Sequence, residues 1–370
     1  MILCANPSAQ FLSSQEEIEA AVVRVMHGNR FILGAEVEAL EREFADYIGT
    51  KLAIGVANGT DALEIAMRAL EIEPGDEVIT VSHTAVATVA AIEALGAVPV
   101  LVDVDPVFYT LNPAQLMEVL TPRTKAVIAV HLYGQAADLD AIGQFCADKK
   151  LFLIEDASQA HGVKLKGKRL GSIGHVGCFS CYPTKNLGAM GDAGLITTND
   201  AILGNKVKML REYGWQRRYI SDMAGRNSRL DELQAAILRV KLRKLDLDNG
   251  KRQLLAAQYT KLLGGLALHL PQTRQYSDHV FHLYVVRTGN RQELLEHLKI
   301  DEIQAGIHYP MPVHLQPAYR GRLRAAANMS VTERLADEVL SLPIYPELAS
   351  VDIVRVVQSI NNYHNNFPRE

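Results

Sequence analysis

Short apolar runs alternate with amphipathic segments from about Glu38 to Asn199. The runs are bounded by glycine, proline or polar residues, which is typical of buried strands. Between them, apolar residues recur at three- and four-residue intervals, which indicates helices. This alternation predicts an α/β fold with a mainly parallel central sheet flanked by helices. The predicted strands are LAIGV, EVITV, VPVLVDV, AVIAVHL, LFLIED and GCFSC.

The pattern changes in the second half of the chain. Residues 202–263 are charged and helical in period, and they are expected to link two domains. After a Gly-Gly pair the sequence is strand-like in HVFHLYVVRT, helical in RQELLEHLK and proline-rich in HYPMPVHLQPAY. A chain of 370 residues is long for one core. We therefore predict a large domain over residues 1–245 and a small α+β domain over residues 246–370.

Composition and charge narrow the class of protein. Hydrophobic residues make up 48% and charged residues 22%, as in ordinary globular proteins. A net charge of −4 gives no broad basic surface, so neither nucleic acid nor a membrane is an expected partner. The start, MILCANPSAQ, does not look like a leader or an anchor, and the apolar stretch over residues 85–102 is interrupted by Glu93, Gly96 and Pro99. A cytoplasmic location is expected.

The cysteines offer a metal or redox alternative, because Cys178 and Cys181 have C-x-x-C spacing. In a strand, however, residues three apart point to opposite faces, and no second close pair completes a tetrahedral zinc site. We expect Cys4, Cys146, Cys178 and Cys181 to be small apolar residues, and we expect no metal.

Lys185 and Asp156 carry the candidate chemistry. Lys185 lies in the Gly-rich segment SCYPTKNLGAMGDAG, and Asp156 ends the apolar run LFLIED. Pyridoxal phosphate needs an amine that forms a Schiff base with its aldehyde, and an anion beside its pyridine nitrogen. The alternatives are a surface lysine and a salt-bridged or capping aspartate. The glycines around Lys185 favour a loop shaped for close approach, so the sequence predicts this cofactor.

Three further segments would serve the same cofactor. NGTDAL follows a strand and opens a helix, so Gly59 and Thr60 would offer a phosphate group N–H donors and a hydroxyl. Alone, this segment is equally an ordinary helix start capped by Thr60 or Asp61. Ser180, at the end of GCFSC, has a hydroxyl that would reach the phosphate. Gln159 would donate a hydrogen bond to the phenolic oxygen.

These segments, in this order, resemble the pyridoxal phosphate-dependent sugar nucleotide aminotransferases of the DegT/DnrJ/EryC1/StrS family over nearly the whole chain. The resemblance implies an aspartate-aminotransferase-like fold (fold type I) and a homodimer with active sites at the subunit interface. The segments that carry it are FILGAEVEALEREFADYIGT, ANGTDAL, PGDEVI, YGQAADLD, EDASQAHG, SCYPTKNLGAMGDAG, GRNSRLDELQAA and HYPMPVHLQPAY.

The resemblance also implies roles for single residues. Lys185 corresponds to the Schiff-base lysine, Asp156 to the partner of the pyridine nitrogen and Gln159 to the residue on the cofactor oxygen. The phosphate-binding positions fall on Gly59, Thr60 and Ser180, with Asn227 contributed by the neighbouring subunit.

Two positions depart from the family pattern. Many relatives have an aromatic residue over the cofactor ring where this chain has Ala85 in SHTAVAT. His83 is the candidate to cover the ring instead, and the alternative is a strand-end histidine held by backbone contacts. Ala193 replaces a commoner glycine in GDAG, where a methyl group is expected to fit.

The implied reaction passes the amino group of L-glutamate to a keto group of a nucleotide-linked sugar. The C-terminal segments look most like enzymes that aminate C-3 of dTDP-3-keto-6-deoxyhexoses, with UDP-3-keto sugars and C-4 amination as alternatives. For one of the sugar-binding candidates, His314, the alternative is a purely structural position in a loop between the two domains. Candidates for contacts to sugar or diphosphate are Tyr182, Tyr213, Tyr219, His308, Tyr309 and His314.

Other functions fit less well. A sugar 3-dehydratase of the same superfamily typically has histidine in place of Lys185. A non-catalytic regulatory protein would not need Asp156, Gln159, Ser180 and Lys185 together. A nicotinamide dehydrogenase would need a G-x-G-x-x-G turn after its first strand, which this chain lacks.

Overall fold

Residues 1–366 are described by the computed structural model, and they contain fourteen strands. Eight of these form one central sheet, and six form three two-stranded ribbons. The strands are β1 (Leu52–Val56), β2 (Glu77–Val81), β3 (Val98–Val102), β4 (Thr124–Val130), β5 (Phe152–Asp156), β6 (Lys164–Leu165), β7 (Lys168–Arg169), β8 (Val176–Ser180), β9 (Gly194–Thr198), β10 (Trp215–Arg217), β11 (Ile220–Ser221), β12 (Tyr284–Arg287), β13 (Arg324–Ala325) and β14 (Val339–Leu342).

The central sheet has the strand order β1-β9-β8-β5-β4-β2-β3-β13. All neighbours from β8 to β13 are parallel, and β9 runs antiparallel to both β1 and β8. The predicted fold class, a mainly parallel sheet flanked by helices, is confirmed. The sequence reading missed β9, which follows the Gly-rich segment without its own alternation of apolar and polar residues.

Thirteen α-helices occur in the same residues. Polar caps begin several of them: the side chains of Asn58, Asp138 and Asp200 accept hydrogen bonds from free N–H groups of the first turns that follow. The helices are α1 (Pro7–Leu12), α2 (Gln15–Met26), α3 (Ala35–Ile48), α4 (Gly59–Ala69), α5 (Val86–Ala94), α6 (Leu116–Val119), α7 (Leu139–Lys149), α8 (Ala201–Leu210), α9 (Glu232–Leu242), α10 (Leu245–Leu263), α11 (Arg291–Ile300), α12 (Ser330–Glu338) and α13 (Ser350–Asn366).

Residues 1–366 contain two large hydrophobic cores and a small third one between α2 and α9. The larger surrounds the central sheet, whose parallel strands are buried on both faces and are therefore apolar along their length. The smaller is built by α10, α11 and α13 against β12 and β14. Helix α10 contributes to both cores, with Leu245 in the larger and Tyr259 in the smaller. None of the helices described is long and apolar enough to cross a membrane.

Two segments pack on the other side of the predicted domain boundary at residue 245. An N-terminal residue joins the smaller core, and a C-terminal strand joins the central sheet. Ile2 packs in the smaller core, and Ile2 and Ile303 form a β-bridge. Strand β13, near the C-terminus, extends the edge of the central sheet beside β3. Both contacts join segments that are distant along the chain.

The predicted helical link over residues 202–263 is interrupted by a short hairpin of β10 and β11. Tyr213, Gly214 and Tyr219 have φ values of 58°, 76° and 68°. These left-handed conformations are incompatible with a continuous right-handed helix. The predicted helical character holds for α8, α9 and α10, and the hairpin separates α8 from the other two.

Candidate active site

A cavity of about 880 Å³ lies at the carboxyl ends of the parallel strands, where ligands bind in open α/β sheets. One wall comes from loops of the central sheet and carries Gly59, Asp156 and Lys185. The facing wall belongs to segments around the smaller core and carries His282 and His308. The site thus lies between the two cores.

Lys185 lies on the loop that follows β8. Its backbone N–H donates to the carbonyl of Tyr182 at 2.8 Å. The loop is tight, because a Cβ at Gly188 would lie only 2.3 Å from the carbonyl oxygen of Pro183. Burial lowers the pKa of Lys185 to about 8, while the charge of Asp156 opposes this shift. Lys185 therefore loses its proton at a lower pH than an ordinary lysine, whose pKa is near 10.5.

Asp156, at the end of β5, is 5% exposed. Its Oδ2 accepts a hydrogen bond from the Thr88 hydroxyl at 2.9 Å, and its Oδ1 accepts one from the N–H of Ser158 at 3.2 Å. No Lys, Arg or His side chain within residues 1–366 forms an ion pair with it. A buried carboxylate facing a cavity in this way fits a cationic ligand such as a protonated pyridine ring.

Gly59, Thr60 and Ser180 form a cradle at the N-terminus of α4. A Cβ at Gly59 would lie 2.5 Å from the Cβ of Ser180, so only glycine lets these segments meet. On the other side, a Cβ at Gly194 would lie 2.3 Å from the carbonyl oxygen of Asn58. A helix N-terminus with free N–H groups beside a hydroxyl suits a phosphate group. The chemistry of these donors fits pyridoxal phosphate.

Gln159 lines the cavity and already has two partners. Its Oε1 accepts a hydrogen bond from the N–H of Tyr133 at 2.7 Å, and its Nε2 donates to the Tyr309 hydroxyl at 3.1 Å. One N–H of its amide is left to donate to a ligand.

Asn186, beside Lys185, was not predicted. Its Nδ2 donates to Asn249 Oδ1 at 2.8 Å and to the carbonyl of Val280 at 3.2 Å, and its Oδ1 accepts from Nδ1 of His282 at 3.2 Å. It therefore ties the lysine loop to α10 and to the segment that leads into β12. Burial and the nearby charge of Lys185 hold the pKa of His282 well below its ordinary value, so His282 is neutral.

The candidates for sugar binding separate into two groups. Tyr182, His308 and Tyr309 line the cavity. Tyr213, just before the β10–β11 hairpin, and Tyr219, in its turn, do not line the cavity, and Tyr219 is 73% exposed.

Three other predicted site residues also lie outside the cavity lining. His314 is bonded instead to Ser82 and Glu333. The exposed residue Asn227 forms a backbone bridge with Glu212. His83 is buried, and its Nε2 lies 2.8 Å from the Tyr133 hydroxyl, whereas Ala85 does line the cavity.

No cluster of three or more metal-ligating side chains occurs in the part of the chain that is described. The four cysteines are free, and Cys178 and Cys181 are both buried. Burial raises the pKa of Cys181 to about 12, so its thiol is protonated at neutral pH. A redox or zinc role for the C-x-x-C pair has no support in this geometry.

The low pKa of Lys185 predicts a distinctive reactivity in the cofactor-free protein. Burial disfavours the ammonium form, so the amine becomes neutral above about pH 8, whereas an ordinary lysine does so near 10.5. Acetylation of Lys185, followed by peptide mass spectrometry, should rise through pH 8. Exposed Lys166 provides the comparison within the same sample. Equal pH profiles for the two lysines would contradict the assignment.

Comparisons with known proteins show which family the chain resembles. A family model for the DegT/DnrJ/EryC1/StrS aminotransferase family matches residues 12–361. The dTDP-3-amino-3,4,6-trideoxy-alpha-D-glucose transaminase of Streptomyces venezuelae is 44% identical over 356 residues, covering 96% of this chain and 94% of its own. The dTDP-3-amino-3,6-dideoxy-alpha-D-galactopyranose transaminase of Aneurinibacillus thermoaerophilus is 46% identical, covering 94% and 96%. The crystal structure of S. venezuelae DesV has a TM-score of 0.96 at 44% identity, covering 98% of each chain.

Proposed function

Because the chain belongs to the DegT/DnrJ/EryC1/StrS aminotransferase family and is a pyridoxal phosphate-dependent sugar aminotransferase, we propose that it aminates C-3 of a dTDP-linked 3-keto-6-deoxyhexose. L-glutamate is the proposed amino donor. The observation that carries the proposal is one cavity that holds a lysine of lowered pKa, a buried carboxylate and a phosphate cradle. The choice of C-3 is supported by the two relatives above, both named as transaminases of 3-amino sugars.

Each part of the cavity has a proposed task toward the cofactor. When bound, pyridoxal phosphate supplies an aldehyde that accepts the amino group and a ring that withdraws electrons. Lys185 holds the aldehyde and then moves a proton with its freed amine, for which a pKa of about 8 is suitable. Asp156 keeps the ring nitrogen protonated, and Gln159 donates to the ring oxygen. The phosphate is assigned to Gly59, Thr60 and Ser180.

The sugar nucleotide is proposed to enter beside Tyr182, His308 and Tyr309, which line the rest of the cavity. Tyr213, Tyr219 and Asn227 lie outside the cavity of their own chain. We assign them to the cavity of a second copy, so that two copies share two active sites.

An exposed apolar patch supports this homodimer. Phe31, Ile32, Met190 and Leu233 are 56%, 43%, 50% and 39% exposed. They are close together, because Ile32 bridges to Asp231 and the N–H of Met190 donates to the side chain of Gln234 at 2.9 Å. Contiguous exposed apolar residues mark interaction surfaces. Met190 lies two residues before Asp192, which lines the cavity, so the patch adjoins the active site.

A charge placed in this patch should dissociate the homodimer. Phe31→Glu would put an unpaired carboxylate in an apolar interface, which is strongly unfavourable. Sedimentation velocity should show a dimer for the wild type and mainly monomer for the variant. Leu254→Glu is the matched control, because Leu254 is 74% exposed on α10 outside the patch. A fully active wild-type monomer would contradict the shared active sites and the role of Asn227.

Incubation with L-glutamate and a panel of keto sugar nucleotides, followed by NMR of the products, tests the substrate. We expect amination at C-3 of the dTDP-linked 3-keto-6-deoxyhexose. Amination only at C-4, or only of UDP-3-keto sugars, would overturn this choice. Bound cofactor without turnover of any sugar would favour a regulatory protein.

Cell fractionation would test the proposed cytoplasmic location.

A further inference from the structure

Tyr133 connects three segments of the active site. Its N–H donates to Gln159 Oε1 at 2.7 Å, and its carbonyl accepts a hydrogen bond from the N–H of Leu283 at 3.3 Å. Its hydroxyl donates to the carbonyl of His308. Gln159 belongs to the sheet side of the cavity, whereas Leu283 and His308 belong to the facing wall. The N–H of Tyr133 therefore holds the sheet side, while its carbonyl and its hydroxyl reach the facing wall.

The hydroxyl of Tyr133 is one member of a directed chain of hydrogen bonds. A carbonyl oxygen only accepts, so the Tyr133 O–H must point to His308. His83 Nε2, 2.8 Å from the same hydroxyl oxygen, is then the donor. Burial lowers the pKa of His83 to about 4, so His83 is a neutral imidazole with its proton on Nε2. The chain runs from His83 through Tyr133 to His308.

The backbone of Tyr133 is held in an unfavourable conformation. Its φ is 62°, in the left-handed region that residues other than glycine seldom occupy. The residue is 2% exposed, and its ring makes edge contacts with His83 and Tyr109. Such conformations persist where surrounding contacts over-determine them, and they concentrate at functional sites.

We propose that Tyr133 is a positioning residue for sugar binding, which fixes the backbone of His308 and, through Gln159, the hydroxyl of Tyr309. The proposal deepens the proposed function and rests on it, because it assigns the 308–309 wall to the sugar nucleotide. It gives His83 a different task from covering the cofactor ring: His83 orients the Tyr133 hydroxyl.

Tyr133→Phe tests the proposal, because it removes only the hydroxyl. The carbonyl of His308 and the Nε2–H of His83 would then be buried without a partner, which favours movement of the wall. We expect the KM for the sugar nucleotide to rise about tenfold. On this proposal the wall serves the sugar nucleotide alone, so the rate and KM of the glutamate half-reaction should stay unchanged.

Tyr109→Phe is the matched control. Tyr109 is also buried, at 3% exposure, and touches the ring of Tyr133, but its hydroxyl contacts Arg287 and not the 308–309 wall. This variant should keep the wild-type KM for the sugar nucleotide. An equal rise in both variants, or an equal loss in both half-reactions of Tyr133→Phe, would overturn the positioning role.

Hydrogen–deuterium exchange of the holoenzyme separates this proposal from the proposed function. Amides in residues 305–312 should exchange faster in Tyr133→Phe than in wild type or Tyr109→Phe, whichever sugar is the substrate. Unchanged exchange would overturn the positioning role even if the enzyme aminates the expected sugar. Faster exchange in an enzyme that accepts none of the tested sugars would instead contradict the proposed function.

Discussion

Replacing Lys185 by alanine is expected to remove the visible absorbance of the lysine-linked cofactor and to slow amino transfer from glutamate by about 1,000-fold or more. Among residues 1–366, no other lysine lines the cavity. Lys241, a second buried lysine of lowered pKa, is held by the carbonyl of Gly188 at 2.7 Å. Absorbance spectra before and after addition of glutamate provide the measurement.

Lys185→Arg is the companion variant, since it keeps a positive charge and removes the nucleophilic amine. It should lose the glutamate reaction as completely as the alanine variant. Conversion of either variant at the wild-type rate would show that another group performs the chemistry.

Replacing Asp156 by asparagine should slow the glutamate half-reaction by about 100-fold or more. Asparagine has almost the same shape but no charge, so the ring nitrogen would lose the anion that keeps it protonated. Stopped-flow absorbance with glutamate measures the rate. In the cofactor-free variant, the pH midpoint of Lys185 acetylation should fall, because the Asp156 charge raises the pKa of Lys185.

Thr88→Val distinguishes charge from hydrogen bonding. It keeps the Asp156 carboxylate and removes one hydrogen bond of 2.9 Å, so a loss of about tenfold is expected. An Asp156→Asn variant no slower than Thr88→Val would argue against the charge as the decisive property.

The apolar runs in the sequence predicted many of the site residues that lie at the strand ends of the central sheet. Asp156 and Ser180 end buried strands, and parallel strands end at the same edge of a sheet, so their meeting follows from sequence alone. The antiparallel strand β9 could not be found in this way. Its place depends on pairing with β1, which is far away in the chain.

The facing wall was harder to predict for the same reason. Tyr133 and Asn186 lie in segments that carry the family resemblance, but the sequence assigned neither residue a role, because their partners His308 and Asn249 come from distant segments. His83 was a candidate to cover the cofactor ring because Ala85 replaces an aromatic residue of the family, but only the packed structure shows its partner, Tyr133.

The order of strands in the central sheet also determines which sheet edge stays exposed during synthesis of the chain. Strand β3 receives its outer partner, β13, only from residues 324–325. During synthesis that edge stays unpaired until almost the whole chain has left the ribosome. Unpaired edges readily capture strands from other chains. A chain that stops before β13 leaves this edge of the sheet open to such pairing.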